Sequence, residues 1–326
     1  PAQQQTRGSH WYLGNADAVF QNLREVRRAN PDHVLVLPGD HIYRMDYGHL
    51  LAAHVAYKAD LTLACISVPL CDAHRFTALS MDEECRVVAI GVEPGNPPPL
   101  PQDPDKVLVS MGIYVFNTAF LFEQLQLDAD DSASSHDFLR DVVPRCVRQH
   151  RVYAQNFSES CIGDSDKPPY WQDVNSLDAY WEANMDLVQI SPHLNLYDND
   201  WPIWTWQPQS PPTKFVHDHG SRRGMALESV VAGGCIISGA MVRRSMLFSD
   251  VRIHSHSLVE DCIVLSNVQI GTNCVLKKCI IDKNCTIPDG TRIGLDPAND
   301  AKHFHVTEVG VTLVTRVMLG QETSLQ

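Results

Sequence analysis

The residues best suited to chemistry are two carboxylates far apart in the chain. Asp40 follows the apolar run His33 to Leu37 (HVLVL) and a Pro38-Gly39 turn, with His41, Tyr43 and Asp46 close behind. A carboxylate at the carboxyl end of a buried strand is where α/β proteins hold a metal against phosphates. The same Asp could instead form a turn and cap the next segment. Asp173 ends Tyr170-Trp171-Gln172-Asp173, beside two aromatic rings. Mg2+ takes hard oxygen ligands, commonly one or two carboxylates plus phosphate oxygens, so Asp40 and Asp173 are a candidate pair that spacing alone does not bring together. Ser134-Ser135-His136-Asp137 precedes an apolar run and reads equally as a helix N-cap. Gly8 to Ala18 (GSHWYLGNADA) sets small residues ahead of a helix, which lets backbone approach a planar ligand or a phosphate.

Alternating strands and helices must position these groups. Ala16 to Asn30 has apolar residues at helical spacing and is closed by Pro31. His33 to Leu37 and Leu61 to Val68 read as buried strands, with a helix over Tyr47 to Lys58 between them. Val107 to Phe116 reads as a further strand and Leu177 to Leu187 as a closing helix. Such alternation predicts βαβ units and a mostly parallel sheet. Ser191 to Thr213, rich in Pro, Asp, Asn and Trp without periodicity, is expected to be a linker packed by its aromatics.

The last third has a different period. Apolar residues recur at Ile236, Val242, Leu247, Ile253, Val259, Val264, Ile270, Leu276, Ile281, Ile287 and Ile293, always five or six residues apart. Neither a helix nor an alternating strand gives that step; a hexapeptide β-helix does, with Gly271, Gly290 and Gly294 at its corners. Cys262, Cys274, Cys279 and Cys285 share the spacing and read as small fillers of the coil interior rather than a metal ladder.

Composition narrows the partners. The 326 residues carry a net charge of −13, which argues against nucleic acid as a partner, and no apolar stretch is long enough to span a bilayer. Ten cysteines without CxxC spacing fit a reducing compartment, the cytoplasm. The chain opens at Pro1 without an initiating Met or a signal peptide, and is expected to lack its true beginning.

Taken in order, these segments resemble the bacterial glucose-1-phosphate adenylyltransferases. The resemblance is carried by PAQQ at Pro1, WYLGNADAVFQNL from Trp11, LPGDHIYRMDY from Leu37, SMGIYVF from Ser110 and SSHDF from Ser134. It continues through PYWQDV from Pro169, LDAYWEANMDL from Leu177, NLYDNDWPI from Asn195, SVVAGGCIISG from Ser229 and LVTRVML from Leu313. It implies an α/β fold, a mostly parallel-sheet nucleotidyltransferase domain incomplete at its N-terminus (1–190), a linker (191–225) and a left-handed parallel β-helix (226–326). It further implies a homo- or hetero-tetramer that makes ADP-glucose and pyrophosphate from ATP and glucose 1-phosphate for glycogen synthesis, with Mg2+ as cofactor. By matching position, Asp40 and Asp173 hold the metal. Glu93, Ser110, Tyr114, Asp137, Phe138 and Trp171 line the glucose 1-phosphate pocket. Gln3, Tyr12, Gly14 and Ala16 lie against the nucleotide, and Arg28 and Arg316 near an allosteric anion site.

Two departures bear on activity. The family's glycine-rich loop with its Arg, which cradles the triphosphate, does not occur in this sequence. Where the family reads FVEKP, this chain reads Ile90-Gly91-Val92-Glu93-Pro94, so the phosphate-binding Lys is gone. A carboxylate in place of a cation beside a phosphate turns attraction into repulsion, on the order of several kcal/mol in a partly buried site. A catalytically weak or regulatory subunit is therefore the alternative expectation. A hexapeptide-repeat acyltransferase using His254 or His256 as base is disfavoured by the preceding α/β region.

Overall fold

The computed structural model of the chain describes residues 11–91, 100, 103–163 and 168–321. These divide into two units, Pro1–Gly39 with Arg44–Asp164, and Asp40–Tyr43 with Ser165–Gln326. In the first unit the expected long helix is two, α1 (Asn15–Gln21) and α2 (Leu23–Ala29). Asn22 interrupts it: its side-chain amide donates to Ala18 O at 2.8 Å, a local bond that competes with the helix ladder. Then follow β1 (His33–Val36), α3 (Tyr47–Ala56), β3 (Leu61–Pro69), β4 (Ala78–Met81), β5 (Val87–Ile90), β6 (Lys106–Asn117), α4 (Thr118–Ala129), α5 (Val143–Gln149) and β7 (Val152–Asn156). β2 (His41–Tyr43) belongs to the second unit.

The sheet corrects the expectation of mostly parallel strands. β6 pairs antiparallel with β1, β3 and β4, and β4 pairs antiparallel with β5; β3 with β7 is the parallel pair of this sheet among the described residues. β1 and β3 do run the same way around α3, but β6 lies between them, with Tyr114 opposite both Val36 and Leu63. β6 can take that place because it is apolar on both faces, burying Val107, Leu108, Val109, Met111, Ile113, Val115 and Phe116. A two-faced apolar run says that a strand is central, not which way its neighbours point.

In the second unit the chain forms a parallel β-helix. Val242, Val259, Leu276 and Ile293 stack in register on one face, Ile237, Ile253, Ile270 and Ile287 on the next, and Val231, Leu247, Val264, Ile281 and Val314 on the third. Ten of the eleven periodic residues are core; the exception is Ile236, since Ile237 is the one that points inward. The four cysteines are fully buried fillers, as is Cys235. Gly290 and Gly294 turn corners with positive φ, Gly271 does not, and Asn267, Asn273 and Asn284 turn others. The linker's aromatics are not packed as expected: Trp204 is 91% exposed, and Tyr197 and Trp206 are nearly as open. Pro202, Pro208, Pro211 and Pro212 keep the segment extended and remove ladder donors.

The register at the first coil is testable. Ile237→Ala should cost about 2–5 kcal/mol of unfolding free energy, and Ile236→Ala on the same strand clearly less. Denaturant unfolding followed by circular dichroism measures both; equal losses would contradict the inward assignment.

Candidate active site

Within the second unit, β2 pairs antiparallel with β8 (Trp171–Asp173), so that His41 faces Asp173 and Tyr43 faces Trp171. Val174 N donates to Asp40 O at 2.9 Å and extends the ladder by one residue. This register brings the two candidate carboxylates to one strand end. His41 Nε2 lies 3.8 Å from Asp40 Oδ1 and 4.0 Å from Asp173 Oδ1. The Trp171 indole N–H donates to His41 Nδ1 at 3.3 Å. Because indole is only a donor, neutral His41 carries its proton on Nε2, the nitrogen that faces both carboxylates. Asn175 fixes Asp173, donating its backbone N–H to Oδ1 at 3.2 Å and its amide to Oδ2 at 2.9 Å. Asp40 is the more open of the two, its side chain 58% exposed against 17% for Asp173. Among the described residues no group of three or more His, Cys, Asp or Glu is placed to hold a metal ion, so a divalent cation here would have these two carboxylates as its protein ligands and take the rest of its coordination from phosphate oxygens and water.

The other candidate residues gather in the first unit. Asp137 caps a π-turn at Phe138–Val142, its Oδ1 accepting from Leu139 N at 2.8 Å and Arg140 N at 3.0 Å. That is the N-cap role open at this motif. Buried Asp128 holds the preceding residues, accepting from Ser134 Oγ at 2.7 Å and contacting His136 Nδ1 at 2.9 Å. Phe138 packs on Tyr114 with ring centroids 5.5 Å apart, and both rings are largely core. Burial pushes the Tyr114 phenol above its ordinary pKa, and its hydrogen bond with Ser110 opposes the rise.

The start of α1 docks on this turn. Ala16 N donates to His136 O at 2.9 Å, and Ala16 itself is fully buried, so its side chain seats the helix. Asn15 donates from Nδ2 to Asp137 Oδ2 at 2.9 Å and accepts from Phe138 N at 2.8 Å. Gly14 leaves no room for a side chain, since a Cβ there would sit 2.3 Å from His136 O. Tyr12 OH accepts from Asn22 Nδ2 at 3.1 Å.

So Asp40, Asp173, His41 and Trp171 come together in one unit, and Gly14, Ala16, Ser110, Tyr114, Asp137 and Phe138 in the other. Arg28 lies on the exposed face of α2, 3.9 Å from Glu25. Arg316 follows the last coil strand, Thr312–Val314. Gln3 and Glu93 lie outside the described residues. Sequence reasoning gave no role to Asn15, Asn175 or the His41 ring. His41 was legible as the neighbour of Asp40, whereas Asn15 and Asn175 are ordinary polar residues until the pairing is seen.

Gly14 supplies a test of this docking. Gly14→Ala should push α1 off the His136 carbonyl at about 1–3 kcal/mol, lowering the thermal midpoint. An unchanged midpoint would mean that the contact is looser than drawn.

Comparison with known proteins shows the family. Residues 1–190 match the nucleotidyl transferase family and residues 211–314 the GlmU-like C-terminal hexapeptide family. The chain is 56% identical to the glucose-1-phosphate adenylyltransferase of Dechloromonas aromatica over 321 residues, covering 98% of this chain and 73% of that protein. It is 55% identical to the enzyme of that name from Nitrosospira multiformis, over 99% of this chain and 76% of the relative. For that of Methylobacillus flagellatus the identity is 54%, over 98% and 75%. Identity of this order along nearly its whole length, on a nucleotidyltransferase unit joined to hexapeptide coils, means that the chain belongs to the glucose-1-phosphate adenylyltransferase family.

Proposed function

We propose that the protein transfers the adenylyl group of ATP to α-D-glucose 1-phosphate, giving ADP-glucose and pyrophosphate for glycogen synthesis. The observation that carries this is the convergence of Asp40 and Asp173 on the His41 ring at the end of a strand pair. A phosphate oxygen of the sugar phosphate attacks the α-phosphorus of ATP in line, and the bond to the departing pyrophosphate breaks. Mg2+ held by Asp40 and Asp173 would neutralise charge on the phosphates. The His41 Nε2–H turned toward the two carboxylates eases their mutual repulsion, and Trp171 fixes that tautomer. Asn175 keeps the Asp173 carboxylate in one orientation.

The remaining roles follow family position. Ser110 and Asp137 take sugar hydroxyls in the first unit, where the buried Tyr114 and Phe138 rings back them, and Trp171 in the second unit offers an aromatic face to the sugar. Gly14 lets backbone approach the nucleotide near Tyr12 and Ala16, and Gln3 and Glu93 complete the two pockets. Arg28 in the first unit and Arg316 in the second are each assigned to effector binding by family position, the chains assemble as a tetramer, and the protein works in the cytoplasm. The division into 1–190, 191–225 and 226–326 is kept as the functional one. Among the described residues no helix is long and apolar enough to cross a membrane. A second reading, a catalytically weak or regulatory subunit, is favoured by the sequence at Val92-Glu93, where the family's Lys is replaced or deleted.

Pyrophosphate release from ATP and glucose 1-phosphate, measured over a wide range of sugar phosphate, separates the two. Turnover with an ordinary half-saturation supports the enzyme. Turnover confined to very high glucose 1-phosphate puts the defect at Val92-Glu93, and nucleotide binding without turnover selects the regulatory subunit. In the active case Asp173→Asn should lower kcat on the order of a hundredfold and raise the Mg2+ needed for half-maximal rate. Normal kcat and Mg2+ dependence in that variant would remove Asp173 from the metal site.

A further inference from the structure

Asn15 is the first residue of α1, a position that asks for nothing an asparagine supplies. Gly14 is the N-cap, no side chain caps the helix, and Ala would serve the backbone better. Yet both ends of the carboxamide are spent on a turn more than a hundred residues away. Nδ2 donates to Asp137 Oδ2 at 2.9 Å, and Oδ1 accepts from Phe138 N at 2.8 Å. Ala16 N on His136 O, and a Gly14 that no side chain could replace without a clash, hold the same two segments together.

The consequence falls on one oxygen. Asp137 Oδ1 is committed to the backbone N–H groups of Leu139 and Arg140, which leaves Oδ2 as the oxygen available to a ligand hydroxyl. The terminal torsion of an aspartate is broad, so one anchored oxygen still lets the other swing. Asn15 supplies the second anchor, and it comes from the helix whose start carries Tyr12, Gly14 and Ala16. We propose that Asn15 is a positioning residue for Asp137, aiming its Oδ2 at the sugar phosphate and tying the nucleotide-side helix to the sugar-side turn. This rests on the reading of Asp137 as a sugar contact.

Kinetics of the whole protein test it. Asn15→Ala should raise the KM for glucose 1-phosphate about tenfold, the loss of one hydrogen bond to a charged group, with kcat and the KM for ATP changed about twofold or less. Asn15→Asp keeps the acceptor for Phe138 N but replaces the donor by a second carboxylate against Asp137. A carboxylate suits the first turn of a helix, so this variant should fold even where the alanine does not. Other charges around the pair are Asp17 on α1, Arg140 and Asp141 on the π-turn, and the Asp128–His136 contact behind it. None of these changes between the variants. Two carboxylates sharing a site raise the pKa of one, so on acidification the introduced carboxylate and Asp137 share a proton and the donor returns. Relative to the unmodified protein at each pH, kcat/KM for glucose 1-phosphate should be lowest near about pH 8 and recover several-fold toward about pH 6 in Asn15→Asp; in Asn15→Ala it should stay flat. Asp137→Asn, which still caps the turn, separates the two levels of the argument. If it raises the KM for glucose 1-phosphate while Asn15→Ala does not, the positioning role is overturned and the sugar contact stands. If it leaves that KM unchanged, the sugar contact fails and the inference with it. An Asn15→Asp defect that does not vary with pH also overturns the positioning role.

Discussion

Antiparallel pairing of His41 with Asp173 brings to one place two strands that lie far apart in the sequence and are only three residues long each. A slip of one residue in that pairing would turn Asp173 to the opposite face and separate it from Asp40. The register is held by the Val174 N bond to Asp40 O and by the Trp171 indole on His41 Nδ1. The proposed phosphate chemistry depends on this short ladder, because two carboxylates hold a divalent cation more firmly than either alone.

What holds the ladder is found on its carboxyl side. Asp173 leads through the Ser176 cap into α6 (Leu177–Leu187), and α6 lies on the β-helix. Trp181 donates its indole N–H to Asp261 O at 2.8 Å, Lys278 Nζ sits 5.2 Å from the Trp181 ring centroid, and Asp178 accepts from Thr307 Oγ1 at 2.6 Å. Beneath them Leu177, Tyr180, Trp181 and Met185 pack on Met246, Ile263, Ile280 and Val311. The coils are stacked repeats that each brace the next. The β-helix is thus the base to which Asp173, the carboxylate proposed to hold the metal, is anchored through α6.

How much of this the sequence discloses follows from the kind of constraint. The coil period is legible because every turn repeats one demand, a branched side chain pointing inward. It fails at Ile236 because the first coil, Ile237 to Ile253, is one residue shorter than Val242 to Val259, so a step counted backwards lands one place early. Helices over Tyr47–Ala56 and Leu177–Leu187 and strands around Leu61 and Val107 are legible from their apolar pattern. The direction of β6 is not, since burial on both faces carries no sign of orientation. Corners turned by Asn267, Asn273 and Asn284 escape a search for glycine, because asparagine enters the left-handed region more readily than other residues with a side chain. The bond between Asn15 and Asp137 is least legible of all. It is one polar pair with no period, and only the folded chain makes it visible. Asp40 and Asp173 were legible as chemistry, but their meeting was not.

The charge balance sets a last requirement. A protein of net charge −13 that handles two phosphorylated substrates cannot rely on its overall field, which repels both. Attraction has to be local, supplied by backbone N–H groups, a few cations and the metal. In the sequence Glu93 stands where the family has its Glu or its Lys, so on the proposed reading one such cation is missing for the sugar phosphate. On that reading, the cost of bringing the two phosphate groups together would then fall more heavily on a cation held by Asp40 and Asp173. Where charge is so finely set, neutral polar groups matter beyond their individual strength. The Asn175 amide on Asp173 and, in the other unit, the Asn15 amide on Asp137 each hold a carboxylate in place without adding charge, which spares that carboxylate reorganisation when a partner arrives.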